Sequence, residues 1–359
     1  MWKKIVDYYK IPEAAKEPST DSARFKKIRL ISFLTATLGY GMYYVCRLSM
    51  NVIRKPMVDD GVFTETEIGI IGSCLFFTYA IGKFCNGFIA DRSNVKKLMS
   101  TGLLISALIN LALGFTNSFI VFAVLWGING YFQSMGAASG VVSLSRWFDA
   151  SNRGTYYGYW SASHNLGEAI TFISIAILAT NFGWRYGLIG AGLIGIAYFF
   201  IMQWLMKDTP QKYGYLLEDA TSKKEEKNKA DFNASQKTVL CSPAIWILAL
   251  ASAFMYISRY AVNSWGVFYL ETMKGYSTLD ASFIISISSV CGIVGTVASG
   301  LISDKLFKGS RNIPALVFGL MNVLALCLFL LVPGVHFYID VIAMVLFGLG
   351  TVSYTHLRA

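Results

Sequence analysis

The amino-acid sequence predicts an all-α membrane protein made of two parallel six-helix halves, with the C-terminal half truncated. Of the 359 residues, 55% are hydrophobic and 14% are charged, and the mean hydropathy is +0.51, whereas soluble domains carry about 25% charged residues. The segment "GFIADRSNVKK" at 87–97 recurs as "GLISDKLFKGSR" at 300–311, an offset of 213 residues. A unit that recurs in the same direction indicates two parallel halves.

Ten apolar runs account for most of the chain, and lengths of this order suit helices that cross ~30 Å of hydrocarbon. They lie at about 30–52, 68–90, 98–115, 119–142, 156–179, 184–206, 244–270, 281–302, 313–332 and, incompletely, 337–352. Helices are expected because an open sheet would leave backbone groups unpaired in lipid. The first residues lack the apolar core and cleavage site of a signal peptide, so the first run is predicted to remain as a helix.

Four parts follow from these runs: an N-terminal segment (1–27), an N-terminal six-helix half (28–206), a linker (207–242) and an incomplete C-terminal half (243–359). The linker is polar and mixed in charge, which favours partial disorder. The last run breaks off in "GLGTVSYTHLRA", and a six-helix half needs two more helices. The sequence is therefore expected to be a fragment, with a foreign tail from about Ser353.

The net charge of +10 is distributed unevenly along the chain. Of the 31 Lys and Arg residues, 23 lie before the first run or after an even-numbered run, and four lie in the odd-numbered connections. The positive-inside rule then places the N-terminus and the even-numbered connections in the cytoplasm. The basic excess orients the protein in the lipid bilayer and requires no nucleic-acid partner.

Neither a cofactor nor a metal site is expected. The six cysteines lie in or beside the runs without the spacing of metal ligands and are interpreted as small apolar side chains. Since no nucleophile–base pair or metal cluster stands out, the chain is not expected to be an enzyme.

Two arginines lie inside apolar runs at matching places in the two halves. Arg47 in the first run and Arg259 in the seventh are 212 residues apart, and a charge in hydrocarbon costs at least ~2.5 kcal/mol. Their forked guanidinium groups suit a phosphate dianion held from opposite sides, although carboxylates could use the same pair. Lys83 and His164 add positive groups from two more helices. Snorkelling of Arg47 or Lys83 and simple packing of His164 remain alternatives.

Aromatic residues accompany these cations at helical spacing. They are Tyr40, Tyr43 and Tyr44 before Arg47, Tyr256 before Arg259, and Tyr79 before Lys83. Lipid-facing or core aromatic side chains would give the same pattern.

Glu168 is an acid well inside the fifth run, one helical turn after His164. With Trp160 these two residues form a stripe at spacings of four. Glu168 is predicted to be a local counter-charge, paired with His164 or with an arginine when substrate is absent. The alternative is a protonated glutamic acid hydrogen-bonded within the bundle.

Longer motifs resemble a known family. The repeated G-x-x-x-D-R/K turn is similar to that of the major facilitator superfamily. "GYGMYYVCR", "TYAIGKF", "GYFQSMG", "ADRSN", "SHNLG", "DTPQKYG" and "YISRYAVNSWGVFYL" closely resemble the organophosphate:phosphate antiporters, which include hexose-6-phosphate and glycerol-3-phosphate transporters and a sugar-phosphate sensor. The resemblance covers about 29–350.

The resemblance implies exchange of an organophosphate for inorganic phosphate across the bacterial inner membrane by alternating access. It implies that residues matching Arg47 and Arg259 hold phosphate and that residues matching Lys83 and His164 assist. The lining would be Tyr40, Tyr44, Tyr79 and Tyr256. The turn residues, expected to act in the conformational change, are Asp91, Arg92 and Asp304.

The chain departs from the family at three places where relatives carry charged groups. Leu48 replaces a lysine, the pair Asn263 and Ser264 replaces an acid of the seventh helix, and Ser289 replaces an acid of the eighth. A receptor that signals to a membrane histidine kinase remains the main alternative to a transporter, and a carboxylate symporter is a third.

Overall fold

Ten long helices make up most of the described structure. The computed structural model describes residues 7–15, 21–215, 242–306 and 312–356, and for some helical residues, such as Asp304, it describes the backbone alone. The helices are α1 (Ser22–Asp59), α2 (Glu65–Arg92), α3 (Val95–Leu113), α4 (Phe119–Trp147), α5 (Ala150–Phe182), α6 (Trp184–Leu205), α7 (Pro243–Tyr269), α8 (Thr278–Leu306), α9 (Asn312–Leu331) and α10 (Phe337–His356). No strand occurs within those ranges. The all-α prediction is confirmed, and part of the expected linker, 216–241, lies outside the described residues.

Most helices extend beyond the apolar runs because polar residues cap their ends. The Asp21 side chain accepts a hydrogen bond from the backbone N–H of Arg24 at the start of α1. Thr64 and Glu67 form a reciprocal capping box at the start of α2. Such caps satisfy the first N–H groups of a helix. A helix can therefore continue into the polar interface.

Packing repeats between the halves. α2 packs chiefly against α4, and α8 packs chiefly against α10, which are the equivalent helices six elements later. The predicted parallel repeat is confirmed by this correspondence. Between the halves, α5 lies against α8 and α1 lies against α7.

The outer surface suits lipid. Within the described residues, seven helices, α2 to α8, are long and apolar enough to cross a membrane, whereas α9 and α10 contain shorter apolar segments. Large apolar side chains face outward, such as Phe84, 73% exposed, and Trp204, 78% exposed. α1 does not reach the same apolar level because glycines, tyrosines and Arg47 occupy its middle. The tyrosines and Arg47 indicate that α1 lies in the interior of the bundle.

The two ends of the bundle differ. We call the end at which α1 begins the basal end, and the end at which it terminates the distal end. Near the distal end the Asn51 side-chain amide of α1 donates to the backbone carbonyl of Asn263 in α7, at 3.1 Å. A single apolar core includes residues of both helices there. They are Val52, Ile53 and Met57 of α1 and Val262, Val267 and Leu270 at the end of α7. The halves are therefore closed against each other at the distal end.

Candidate functional site

A central cavity of about 570 Å³ lies between the halves and is lined by α1, α2, α4, α5 and α7. Seven of the eight side chains predicted to bind substrate lie in its wall. These are Tyr40, Tyr44, Tyr79, Lys83, His164, Tyr256 and Arg259, and Glu168 lies beside them. The wall extends to Gly87, Val141 and Tyr157 near the basal ends of their helices. The cavity thus reaches toward the basal end, opposite the closed contact.

Arg259 provides the guanidinium group in this wall. Its Nη2 donates to the side-chain oxygen of Asn165 at 3.0 Å and to Oε1 of Glu168 at 3.4 Å. Both acceptors belong to α5, so this ion pair connects the C-terminal half to the N-terminal half. A charge taken out of water is tolerable when it is paired in this way.

Glu168, only 4% exposed, is held by three donors. Besides Arg259, the Asn263 amide of α7 donates to Oε1 and the Ser289 hydroxyl of α8 donates to Oε2, each at 3.0 Å. Glu168 thus contacts two of the positions at which the family resemblance leads one to expect an acid. In this chain the carboxylate stands on the facing helix, and those positions supply donors to it.

Arg47 lies behind the wall rather than in it. It is 5% exposed, and its guanidinium carbon lies 4.2 Å from the ring centre of Tyr79, 5.8 Å from that of Tyr44 and 5.7 Å from that of Tyr260. Its Nη2 has no hydrogen-bond partner and no carboxylate is within ion-pair distance, as far as the chain is described. Aromatic faces attract cations. These rings therefore shield an arginine that has no anion.

Two further basic side chains, Lys83 and His164, lie in the wall. Lys83 is exposed to the cavity, with its ammonium 5.3 Å from the ring centre of Tyr79, and the His164 ring lies 5.7 Å from that of Tyr44. With Arg259 they come from three helices of the two halves. Glu168 is the one carboxylate among the described lining residues, so the basic side chains outnumber the acidic one.

Other aromatic side chains complete the wall. Tyr40 stacks on Trp160 with ring centres 4.5 Å apart, and Tyr256 stacks on Tyr260 at 6.1 Å. Tyr157 also lines the cavity. Tyr157 and Tyr260 were not among the site residues predicted from the sequence. Helical spacing could have found Tyr157, which lies seven residues before His164 on the same α5 stripe.

Tyr43 was expected on or beside the face of Arg47, and the structure places it elsewhere. Its hydroxyl donates to the carbonyl of Met99 in α3 at 2.6 Å, and its ring contacts Gly136 of α4. One helical step separates Tyr43 from the cavity-lining Tyr44. That step of about 100° turns the side chain into the N-terminal half.

The turn between α2 and α3 is organised by residues that the sequence analysis did not select. Arg146 of α4 donates through Nη2 to the backbone carbonyls of Ala90, Asp91 and Ser93, and through Nη1 to Asp208 at 3.1 Å. Asp208 also accepts from the first N–H of α3, at 2.6 Å.

The turn residues selected from the sequence make a smaller contribution to this arrangement. The Asp91 and Arg92 side chains are exposed, and the Asp304 side chain lies outside the described part of the structure. Their role in conformational change stays a prediction.

Comparisons with known proteins agree with this architecture. Residues 30–356 match the family model of the Major Facilitator Superfamily. The fold also resembles the inward-facing, unoccupied crystal structure of a bacterial homolog of the human lysosomal transporter Spinster. That likeness has a TM-score of 0.72 at 17% identity and covers 93% of this chain and 74% of the other.

Relatives identified by sequence similarity indicate a narrower family. A membrane sensor protein UhpC of Salmonella typhimurium is 32% identical, over 82% of this chain and 69% of the relative. A "Probable hexose phosphate transport protein" of Chlamydia muridarum is 33% identical, over 89% of this chain and 74% of the relative. A glycerol-3-phosphate transporter of Bacillus subtilis is 30% identical, over 92% of this chain and 78% of the relative.

These relatives confirm the resemblance to organophosphate:phosphate antiporters that the motifs indicated. The protein is a multi-pass membrane protein with apolar helices, and it belongs to the major facilitator superfamily.

Proposed function

We propose that this protein exchanges an organophosphate, either a sugar phosphate or glycerol 3-phosphate, for inorganic phosphate by alternating access. The central cavity carries the proposal, because it lies between the halves and combines Arg259, Lys83 and His164 in its wall with Arg47 behind it. Guanidinium forks and further donors suit a phosphate dianion. The names of the hexose phosphate and glycerol-3-phosphate relatives support the same substrate class.

The arginines give the exchange its physical basis. A phosphate group that enters from the basal end reaches Arg259 in the wall before Arg47 behind it, and at Arg259 it competes with Glu168 for the guanidinium. Displacement of the Tyr79 and Tyr260 rings would then let Arg47 reach the same anion from the other half. A ligand shifts a conformational equilibrium only by binding one state better. An anion that bridges both arginines favours the state in which the halves close around it.

The empty site explains why the return step needs a second anion. Without substrate, the partners of Arg47 among the described residues are ring faces, and an uncompensated buried charge raises the energy of the closed form. The Glu168 carboxylate neutralises the charge of Arg259 but not that of Arg47. The return of an empty carrier is therefore slow, and inorganic phosphate fills the site during the return.

We assign the basal end to the cytoplasm of a bacterial inner membrane, because the basic connections lie there. The N-terminus is then cytoplasmic, and the central cavity faces inward. Asp91, Arg92 and Asp304 would lie at that same cytoplasmic surface, where they would act in the conformational change.

Proteoliposomes test this function. Vesicles loaded with labelled phosphate should release it when external hexose 6-phosphate or glycerol 3-phosphate is added, and only slowly without them. Arg259→Gln is the matched control and should abolish release. Equal release with and without an external organophosphate would refute obligatory exchange.

A sensor is the second candidate, because one similar relative is named as a membrane sensor. It would keep the phosphate site and signal to a membrane histidine kinase. Tight organophosphate binding without exchange, together with co-purification of a kinase encoded beside this chain, would favour the sensor over the transporter.

A further inference from the structure

Arg54, near the distal end of α1, is a second buried arginine without an acidic partner in the described part of the chain. It is 2% exposed, its Nη2 donates to the side chain of Asn51 at 2.9 Å, and its Nε and Nη1 have no hydrogen-bond partner among the described residues. Trp265 of α7 covers one face of the guanidinium, with 4.2 Å between its ring centre and the guanidinium carbon. Stacking satisfies the face of a guanidinium but leaves the donors at its edge unused.

A distal cavity of about 320 Å³ adjoins this group. It lies between α1, α2 and α7 on the far side of the closed contact. Its lining includes the hydroxyl residues Thr66 and Ser73, both exposed, and Gly72, where an added Cβ would come within 3.4 Å of Arg54 Nη2. Gly72 therefore lies directly beside the guanidinium. The lining of the cavity combines this guanidinium with two hydroxyl side chains.

Arg54 differs from the buried and half-buried cations that have an acidic partner. Arg146, Arg259 and Lys274 are each paired with a carboxylate, whereas Arg47 and Arg54 have none within the described ranges. A buried charge is normally paired because the unpaired state is costly. For both α1 arginines, an external anion would supply the partner that the described residues do not provide.

The two arginines cannot share one anion. They are seven residues apart on the same face of α1, which is about 10.5 Å along the helix axis. Phe76 of α2 lies between them: its ring centre is 5.7 Å from the Arg47 guanidinium carbon, and its side chain lines the distal cavity. Two separate positions for an anion therefore follow each other along α1.

We propose that Arg54, with Thr66, forms a second oxyanion subsite that receives a phosphate group at the distal side before the central site opens to it. Loading this subsite supplies the missing partner of Arg54 and weakens its stacking on Trp265, a contact between the halves. The identity of the anion as phosphate rests on the proposed function. The position of the subsite rests on Arg54 itself.

Cysteine protection in lipid nanodiscs tests the subsite without relying on transport. Ser73→Cys places a thiol in the distal cavity and Ser161→Cys places one in the central cavity. The parent chain with its six cysteines gives the background. Inorganic phosphate should slow labelling of each thiol by a water-soluble maleimide. Arg54→Gln should raise the phosphate concentration for half-protection of Ser73→Cys about tenfold, as expected for the loss of charge-assisted hydrogen bonds. Protection of Ser161→Cys should remain.

The matched variant Arg259→Gln should give the opposite pattern, with protection lost at Ser161→Cys and kept at Ser73→Cys. Protection of Ser73→Cys that survives Arg54→Gln but disappears with Arg259→Gln would show an indirect effect of the central site and overturn the proposal. Slower labelling with phosphatidylglycerol but not with phosphate would assign the position to a lipid headgroup and also overturn it.

The outcome is separable from that of the exchange assay. If Ser73→Cys is protected by phosphate in a protein that does not exchange, the proposed function fails and the subsite stands. If exchange is normal and Ser73→Cys is unprotected, the subsite alone fails.

Discussion

Arg47 and Arg259 occupy corresponding places in α1 and α7, yet the protein balances their charges differently. Arg259 has a carboxylate at 3.4 Å, supplied by the opposite half. Arg47 has the rings of Tyr44, Tyr79 and Tyr260 and no acid among the described residues. A ring face is a weaker counter-charge than a carboxylate. The repeat therefore determines where each charge lies, and the neighbouring helices determine how it is balanced.

This difference makes the empty site asymmetric. Arg259 of the C-terminal half already has an internal anion, because Glu168 of the N-terminal half accepts from it as well as from Asn263 and Ser289. Arg47 of the N-terminal half has no carboxylate partner among the described residues. We infer that Arg47 gains most when phosphate binds and that Arg259 exchanges one anion for another.

Replacing either arginine with lysine tests the comparison most severely. Lysine keeps the charge but loses the bidentate fork, so exchange should fall at least about tenfold in Arg47→Lys and in Arg259→Lys. The loss should be larger at Arg47, because Arg259 already shares its donors with Asn165 and Glu168. Initial rates in proteoliposomes measure it.

Arg185→Lys is the control for these variants. Arg185 donates to Gly114 and Asn117 at the distal end, away from the cavity, and its replacement should leave exchange nearly unchanged. Near-normal exchange in either cavity variant would contradict a direct role of that arginine in holding phosphate.

Removing the internal anion should have a smaller effect of opposite sign. Glu168→Gln keeps the hydrogen-bonding shape but loses the charge, so phosphate no longer competes with a carboxylate for Arg259. We expect affinity for phosphate to rise about fivefold, which corresponds to about 1 kcal/mol, and exchange to become more strictly obligatory. Equilibrium binding of labelled phosphate, with its pH dependence, measures this.

Glu67→Gln is the matched control for Glu168→Gln, because Glu67 caps α2 outside the cavity. It should leave phosphate affinity unchanged. If Glu168→Gln gave the same affinity and pH dependence as the parent chain, Glu168 would be a packing residue and the asymmetry would lose its meaning.

Removing one of the aromatic rings around Arg47, which belong to Tyr44, Tyr79 and Tyr260, should give the smallest effect. Tyr79→Leu removes the nearest ring face, at 4.2 Å, and should destabilise the empty protein by about 0.5–1 kcal/mol. Tyr79→Phe keeps the ring and is the control. Without phosphate, Tyr79→Leu should unfold at a lower temperature than Tyr79→Phe. Added phosphate should reduce this difference in melting temperature. Equal melting of both variants would show that the ring does not stabilise Arg47.

Much of the fold could be predicted because lipid imposes simple rules on a sequence. All ten helices were expected from apolar length, and the parallel repeat followed from one recurring turn. The central cavity was also foreseen in part, since the stripe of Trp160, His164 and Glu168 does face it. Helical periodicity alone places such residues on one face. Helix ends were missed by up to eight residues, because caps such as Asp21 and Thr64 lie outside the apolar runs.

The sequence by itself determined which charges lie inside the membrane and on which helices, because burial of a charge in an apolar run is visible as a pattern. Only the tertiary structure decided their partners. Glu168 could have met His164 or an arginine, and it is the crossing of α5 against α7 and α8 that brings it to Arg259. The aromatic cage of Arg47 and the unpaired Arg54 beside Trp265 likewise depend on which helices meet. The Coulomb energy of two charges depends on the distance between them in space, and positions along the chain do not specify those distances between helices.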